Sequence, residues 1–184
     1  FYKDYFPGAV EELIESALIK MITRNPDCYY EDKDTGSVYV QFTYQGLRKE
    51  LMALGHTYSI ARIKIGLTVL NESTIKILKD GTNIYSAGIF PALAAYERKD
   101  YLKDSSTKHY AKLSEFVVKA IKTGDYRQMD YDSYMKFPSQ LTRWLFKKLV
   151  IRYTQASPVD EYTFSLKSLM NECALLQYSS YRMN

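Results

Sequence analysis

The sequence has little of what disulfide-rich, zinc-binding or membrane proteins require. Its 184 residues include two cysteines, Cys28 and Cys173, and two histidines, His56 and His109, all far apart in the chain. We therefore expect neither a disulfide framework nor a structural zinc site. No run of roughly 18 apolar residues occurs, and the amino terminus lacks the basic then apolar order of a signal peptide. These absences predict a cytoplasmic protein without membrane contact.

Motifs of common enzyme classes are missing as well. There is no G-x-x-x-x-G-K-[ST] segment, so we expect no Walker-type nucleotide site. The isolated histidines remove the paired-histidine metal site that a DNA-nicking enzyme would use with its tyrosine. The segment Asp130-Tyr131-Asp132 carries two carboxylates, but one D-x-D in a polar loop is a weak metal signal. We therefore expect no enzyme, no catalytic residue, no metal and no cofactor.

The charge of the chain is mildly basic and unevenly distributed. Lys and Arg number 25 against 21 Asp and Glu, which gives a formal net charge of +4. Acidic residues concentrate in the first third, while Arg143, Lys147, Lys148 and Arg152 share one later segment. A DNA-facing surface is therefore expected in the later elements. The 18 tyrosines are expected mainly as half-buried residues, rather than as stacking platforms for single strands.

The first third of the chain predicts a helix and a hairpin. Apolar residues recur at helical spacing over 9–23, between Pro7-Gly8 and Asn25-Pro26. Residues 29–30 and 37–42 flank the turn-forming segment 32–36, and the alternation over 38–42 is typical of a half-buried strand.

A helix-turn-helix followed by a second hairpin comes next. Thr43 is a candidate N-cap for a helix over 44–54 that Gly55 ends, and Thr57 or Ser59 is a candidate cap for a helix through about Leu70. In that second helix, Ile65 is assigned to the apolar side. Strands at 74–78 and 84–86 flank an Asp-Gly turn. The order helix, turn, helix, hairpin predicts an α+β fold of the winged helix-turn-helix type.

The later part of the chain repeats this pattern in part. Residues 113–121 suit either a strand or a helix, and an amphipathic helix is predicted up to about Tyr153. A strand at 162–164, a helix over 166–173 and the start of another at 175–184 follow. The segments 40–47 and 162–169 share an aromatic residue, a hydroxyl cap and a leucine at matching positions. We therefore expect two related modules, a first domain over 1–135 and a truncated second one over 136–184.

These segments resemble the tandem winged-helix initiators of iteron plasmids. The resemblance rests on Phe42-Thr43-Tyr44-Gln45-Gly46-Leu47 with Leu54-Gly55, on the helix that begins Ser139-Gln140-Leu141-Thr142-Arg143-Trp144, and on the opening Tyr5-Phe6-Pro7-Gly8-Ala9. It covers roughly residues 38–184, in pattern more than in identity. It implies sequence-specific binding of double-stranded DNA at repeated origin sites and initiation of plasmid replication. It further implies a homodimer formed through the first module, with host replication proteins as additional partners.

The candidate DNA contacts of the first module lie in its second helix and its hairpin. The start of that helix carries Thr57, Tyr58, Ser59, Arg62 and Lys64. Arg62 suits a phosphate or a guanine edge and Lys64 a phosphate, because the N-terminal part of such a helix enters the major groove. Lys76 and Lys79 lie in the hairpin, where backbone contacts are expected. The alternative for all of them is an ordinary solvated helix face and surface hairpin.

The second module adds a basic helix and the start of its own recognition helix. Arg143 and Lys147 suit a phosphate backbone, and Gln177, Ser179 and Arg182 suit base edges or phosphates. The alternative for Arg143 and Lys147 is the solvated side of an ordinary amphipathic helix. The alternative for Gln177, Ser179 and Arg182 is a frayed helix end. For the whole chain, the alternatives are a winged-helix transcriptional repressor and a module for protein interaction or dimerisation. Salt dependence separates DNA binding from an apolar interface.

Overall fold

The computed structural model of this chain describes residues 7–79, 82–95, 107–124, 128–153, 157, 159, 161 and 163–173. The chain divides into two compact units, Phe1–Tyr126 and Arg127–Asn184. The domain boundary predicted at residues 135 and 136 falls inside a helix of the second unit, Tyr131–Lys136. In the described part of the chain, every helix is too short or too polar to cross a bilayer.

The described residues of the first unit form an α+β arrangement of four α-helices and two antiparallel sheets. Its elements are α1 (Ala9–Arg24), β1 (Tyr29–Glu31), β2 (Val38–Phe42), α2 (Tyr44–Ala53), α3 (Ile60–Glu72), β3 (Thr74–Lys79), β4 (Thr82–Gly88), β5 (Leu93–Ala95), β6 (His109–Lys112) and α4 (Glu115–Thr123). One sheet has the strand order β1-β2-β6-β5, and β3 pairs only with β4 in the other. The predicted helix at 9–23 and the two predicted hairpins are confirmed.

The core of this unit lies between α1, α2, α3 and the larger sheet. The most deeply buried side chains include Leu13, Ile14, Leu18, Val40, Leu47, Leu51, Ile63 and Leu70. Burying each such side chain contributes roughly 1.5–3 kcal/mol, so this cluster is the main source of stability for the helix arrangement. The alternating burial of β2 follows from its period of two, since Val38, Val40 and Phe42 share one face.

Hydroxyl caps and a left-handed glycine define the turn between α2 and α3. Thr43 Oγ1 accepts a hydrogen bond from Gly46 N at 2.9 Å, as predicted for the start of α2. Gly55 adopts a φ of +88°, which glycine tolerates and other residues rarely do. Ser59, rather than Thr57, caps α3, because its Oγ accepts from Arg62 N at 3.2 Å. The second helix therefore begins at Ile60.

The hairpin β3–β4 is attached to the end of α3. Thr74 pairs with Gly88 and Ile75 with Ala87, and the register shifts between Ile77 and Leu78. The side-chain amide of Asn71 donates to the carbonyl of Phe90 at 2.7 Å, which joins α3 to the segment after β4. The hairpin thus has a fixed base at the C-terminal end of α3.

Strand β6 was not predicted. It begins at His109, which pairs with Phe42 of β2. This pairing joins segments far apart in sequence, which local composition cannot reveal. The segment 113–121, for which strand and helix were both open, forms helix α4 after the cap Ser114.

The second unit contains three described helices, each with a side-chain cap. They are α5 (Tyr131–Lys136), α6 (Gln140–Arg152) and α7 (Leu166–Glu172), capped by Asp130, Ser139 and Ser165. The polar loop expected at 130–132 is wrong, since Asp130 Oδ1 accepts from Ser133 N at 3.2 Å and begins a helix. Thr163 and Phe164 form no strand, contrary to the prediction for 162–164. The predicted helix over 175–184 lies outside the described residues.

Candidate nucleic-acid interface

Helix α3 exposes one face to solvent. Ile63 and Leu67 are buried against the core, whereas Ala61, Lys64, Ile65 and Thr68 are exposed. We call these four residues the outer face of α3. Their spacing of three and four positions places them on one side of the helix. The assignment of Ile65 to the apolar, buried side was wrong, because 53% of this side chain is exposed.

The residues immediately before α3, from His56 to Ser59, make ordered contacts of their own. Thr57 and Ser59 are exposed and Tyr58 is half-buried. The Tyr58 ring lies parallel to that of His56, with centroids 6.4 Å apart and an interplanar angle of 2°. Ser59 Oγ already accepts the hydrogen bond from Arg62 N that caps the helix. The Ser59 hydroxyl therefore serves as the N-cap of α3.

Arg62 is held by a buried carboxylate. Its Nη2 lies 2.8 Å from Glu11 Oε1, with the Arg62 side chain 39% exposed and that of Glu11 5% exposed. The other oxygen of Glu11, Oε2, accepts from Gly8 N at 2.9 Å, at the start of α1. A buried carboxylate needs such partners, because desolvating it alone is costly. Arg62 thus joins α3 to α1 through one of its terminal nitrogens.

Lys64 belongs to a row of cationic and aromatic groups. Its Nζ lies 5.0 Å from the centroid of the Tyr44 ring, within the range of a cation–π contact. The Tyr44 ring in turn lies 4.2 Å from the imidazole of His109, between centroids. Burial, and secondarily the charge of Lys64, lower the pKa of His109. The imidazole is therefore neutral at pH 7, and Lys64 carries the positive charge of this row.

The hairpin places one of its two candidate lysines at the surface. Lys76 is exposed on β3 and pairs with Ser86 of β4. Ile75, beside it, is 43% exposed. Lys79 ends β3 opposite Thr82. The side chain of Lys79 lies outside what the structure describes.

In the second unit, Arg143 is an interior residue. Only 1% of it is exposed, and its Nη1 donates to the carbonyl of Phe137 at 2.8 Å. Phe137 is the C-cap of α5, so the guanidinium satisfies one of the carbonyls that a helix end leaves without an intrahelical donor. The predicted phosphate contact by Arg143 is therefore wrong in this structure.

The neighbouring lysines of α6 contact aromatic and acidic groups of their own unit. Lys147 is half-buried with its Nζ 4.9 Å from the Tyr134 ring centroid. Lys148 forms a salt bridge with Glu172 and lies 5.3 Å from the Trp144 ring centroid. The Lys147 contact joins α6 to α5, and the salt bridge of Lys148 joins α6 to α7. The remaining candidates, Gln177, Ser179 and Arg182, lie outside the described residues.

The sequence identified only one of the four residues of the outer face of α3 as a candidate contact. The sequence reasoning selected Lys64 by charge, assigned Ile65 to the apolar side and did not select Ala61 or Thr68. A helical projection anchored on the buried Ile63 and Leu67 would have placed them outward. Among the described residues, no group of three or more His, Cys, Asp or Glu could hold a metal ion.

The chain matches no protein-family model, no curated protein and no solved structure. Its function is therefore inferred from its own residues and geometry.

Proposed function

We propose that this chain is a winged-helix protein that binds duplex DNA sequence-specifically at the repeated sites of a plasmid replication origin and initiates replication there. The observation that carries the proposal is the exposed outer face of α3, placed after a helix and a turn and before a hairpin. A recognition helix of the helix-turn-helix type follows a helix and a turn and presents an exposed face to the major groove. Homodimerisation through the first unit and contact with host replication proteins belong to the same proposal.

The charges around α3 fit a polyanionic partner. The helix carries Arg62 and Lys64 and no acidic residue before Glu72, at its last position. Its N-terminus adds the partial positive charge of the helix dipole, beside Thr57, Tyr58 and Ser59. In this arrangement Lys64 and Lys76 contact phosphates, and Arg62 positions α3 while its exposed edge faces the backbone.

The test is fluorescence anisotropy with repeated-origin duplex and with scrambled duplex over a series of salt concentrations. We expect tighter binding to the repeats and an affinity that falls steeply as salt rises. Replacing both Lys64 and Lys76 by Ala should make the log–log salt slope shallower by about 1.8, since each phosphate contact contributes about 0.9. Lys33→Ala, an exposed lysine in the β1–β2 turn between Asp32 and Asp34, is the control and should leave the slope unchanged.

A protein-interaction module is the second candidate function. It is favoured by exposed apolar side chains one turn apart on α7, where Leu166 is 70% and Met170 45% exposed. The same titration separates the two candidates. An apolar interface hardly responds to ionic strength, so absence of DNA binding even at low salt would contradict the DNA proposal and favour this one.

A further inference from the structure

We infer that the outer face of α3 reads the 5-methyl groups of thymines, and that Ile65 at its centre determines which sequences the chain prefers. The inference rests on the proposed DNA binding and names the chemistry that this site recognises. It differs from the expectation that Arg62 reads a guanine edge.

The first step is the chemistry that the face presents. Ala61, Ile65 and Thr68 each carry exposed methyl groups, at positions i, i+4 and i+7 of one helix face. In the major groove, the only methyl group that a base displays is the C5-methyl of thymine, and small apolar side chains contact it. A half-exposed isoleucine in the middle of a helix face is therefore matched to this group.

The second step concerns the donors near the face. Guanine offers two acceptors, O6 and N7, which require hydrogen-bond donors. Arg62 Nη2 is paired with Glu11 Oε1 at 2.8 Å, and Lys64 contacts a phosphate in the proposed arrangement. The hydroxyl of Thr68 donates to the carbonyl of Lys64 at 3.2 Å. With these donors in use, Ile65 at the centre of the face offers apolar contact to the bases.

The third step is size and charge. From Ala61 to Thr68 the helix rises by about 10 Å at 1.5 Å per residue. At 3.4 Å per base pair this length covers about three base pairs. The exposed Lys64 and Lys76 supply positive charge beside the methyl-bearing residues, and α3 has no carboxylate before its last residue. This charge favours duplex DNA over an apolar protein surface as the occupant.

The experiment begins by selecting preferred duplexes from a randomised library with the whole chain. Each thymine of the selected site is then replaced by deoxyuridine, which keeps the base pair and removes only the methyl group. We expect one to three thymines at which this replacement weakens binding by about fourfold, the effect of burying one methyl-sized group. Ile65→Ala should lower affinity for the thymine duplex and bind the thymine and deoxyuridine duplexes equally at the central position.

Ile151→Ala is the matched control, because it makes the same change at an isoleucine that is 60% exposed on α6. This variant should keep the full difference between thymine and deoxyuridine. Salt-dependent DNA binding without any deoxyuridine effect would overturn the inference and leave the proposed function standing. A deoxyuridine effect that persists in Ile65→Ala would overturn the assignment to Ile65. No DNA binding at low salt would overturn both.

Discussion

At the scale of single residues, the ion pair between Arg62 and Glu11 attaches the start of α3, which carries the candidate interface, to α1. Both helices begin near this pair, since Glu11 also caps the start of α1 through Gly8 N. Arg62, which was selected as a DNA contact because of its charge, thus pairs with a buried carboxylate of its own chain. The basic side chain that stays exposed on the same helix is Lys64.

Arg62→Ala should lower the free energy of unfolding by about 1–3 kcal/mol, because it leaves a carboxylate in the interior with one fewer hydrogen bond. The loss is smaller than for a fully buried ion pair, since 39% of the Arg62 side chain is exposed. Urea unfolding monitored by circular dichroism measures the change. Lys49→Ala, at an exposed position of α2, is the control and should stay within about 0.5 kcal/mol of the parent. Equal stability of the two variants would contradict a structural role for Arg62.

His109 gives a prediction about pH. Burial and the nearby charge of Lys64 lower the pKa of His109, so the folded state binds this proton less readily than the unfolded state. Stability is therefore full above the unfolded pKa of roughly 6.5 and declines as the pH falls below it. An NMR titration of the His109 imidazole should give a midpoint below 6.5. A midpoint at or above 6.5, or unfolding curves that do not change between pH 7.5 and 5.5, would contradict the burial argument.

At the scale of elements, the position of α3 depends on its close approach to α1. A Cβ on Gly66 would lie 2.6 Å from Ile14 Cδ1 and 3.3 Å from Glu11 Oε1. Ile14 is fully buried, so its methyl group has little room to move aside. Helix propensity alone would favour alanine at this position by about 1 kcal/mol. The close packing of α1 against α3 therefore leaves no room for a side chain at position 66.

Gly66→Ala should therefore destabilise the protein by about 1–2 kcal/mol, since overpacking outweighs the gain in helix propensity. The double variant Ile14→Val with Gly66→Ala should recover part of this loss, because valine lacks the Cδ1 atom that obstructs the new methyl. Differential scanning calorimetry of the single and double variants gives the coupling. Thr68→Ala, at an exposed position of α3, controls for helix propensity. A Gly66→Ala protein more stable than the parent would refute the close contact.

At the scale of the whole molecule, local signals in the sequence predicted most elements of the fold. The caps Thr43 and Ser165 lie where a hydroxyl precedes an apolar helical pattern, and each accepts a backbone hydrogen bond in the structure. The two hairpins followed from turn residues between short strands. These features depend on neighbours within a few residues, so they can be predicted from a single sequence.

Several of the features that the sequence did not predict depend on distant partners. The pairing of β6 with β2, the burial of Arg143 and the ion pair of Arg62 with Glu11 join residues that local patterns treat separately. For the candidate site, charge identified Lys64 and Lys76, but only the packing of α3 revealed which of its side chains face solvent. Exposure is a tertiary property, so the apolar part of the outer face was assigned to the core.

The separation of roles on α3 has an evolutionary consequence. The inward residues of α3 and Glu11 hold the helix in place. The outer face, Ala61, Lys64, Ile65 and Thr68, is exposed. Mutations at those four positions can therefore accumulate at small cost in stability. A lineage carrying this scaffold could acquire new binding preferences by drift at exposed sites, without having to rebuild its interior.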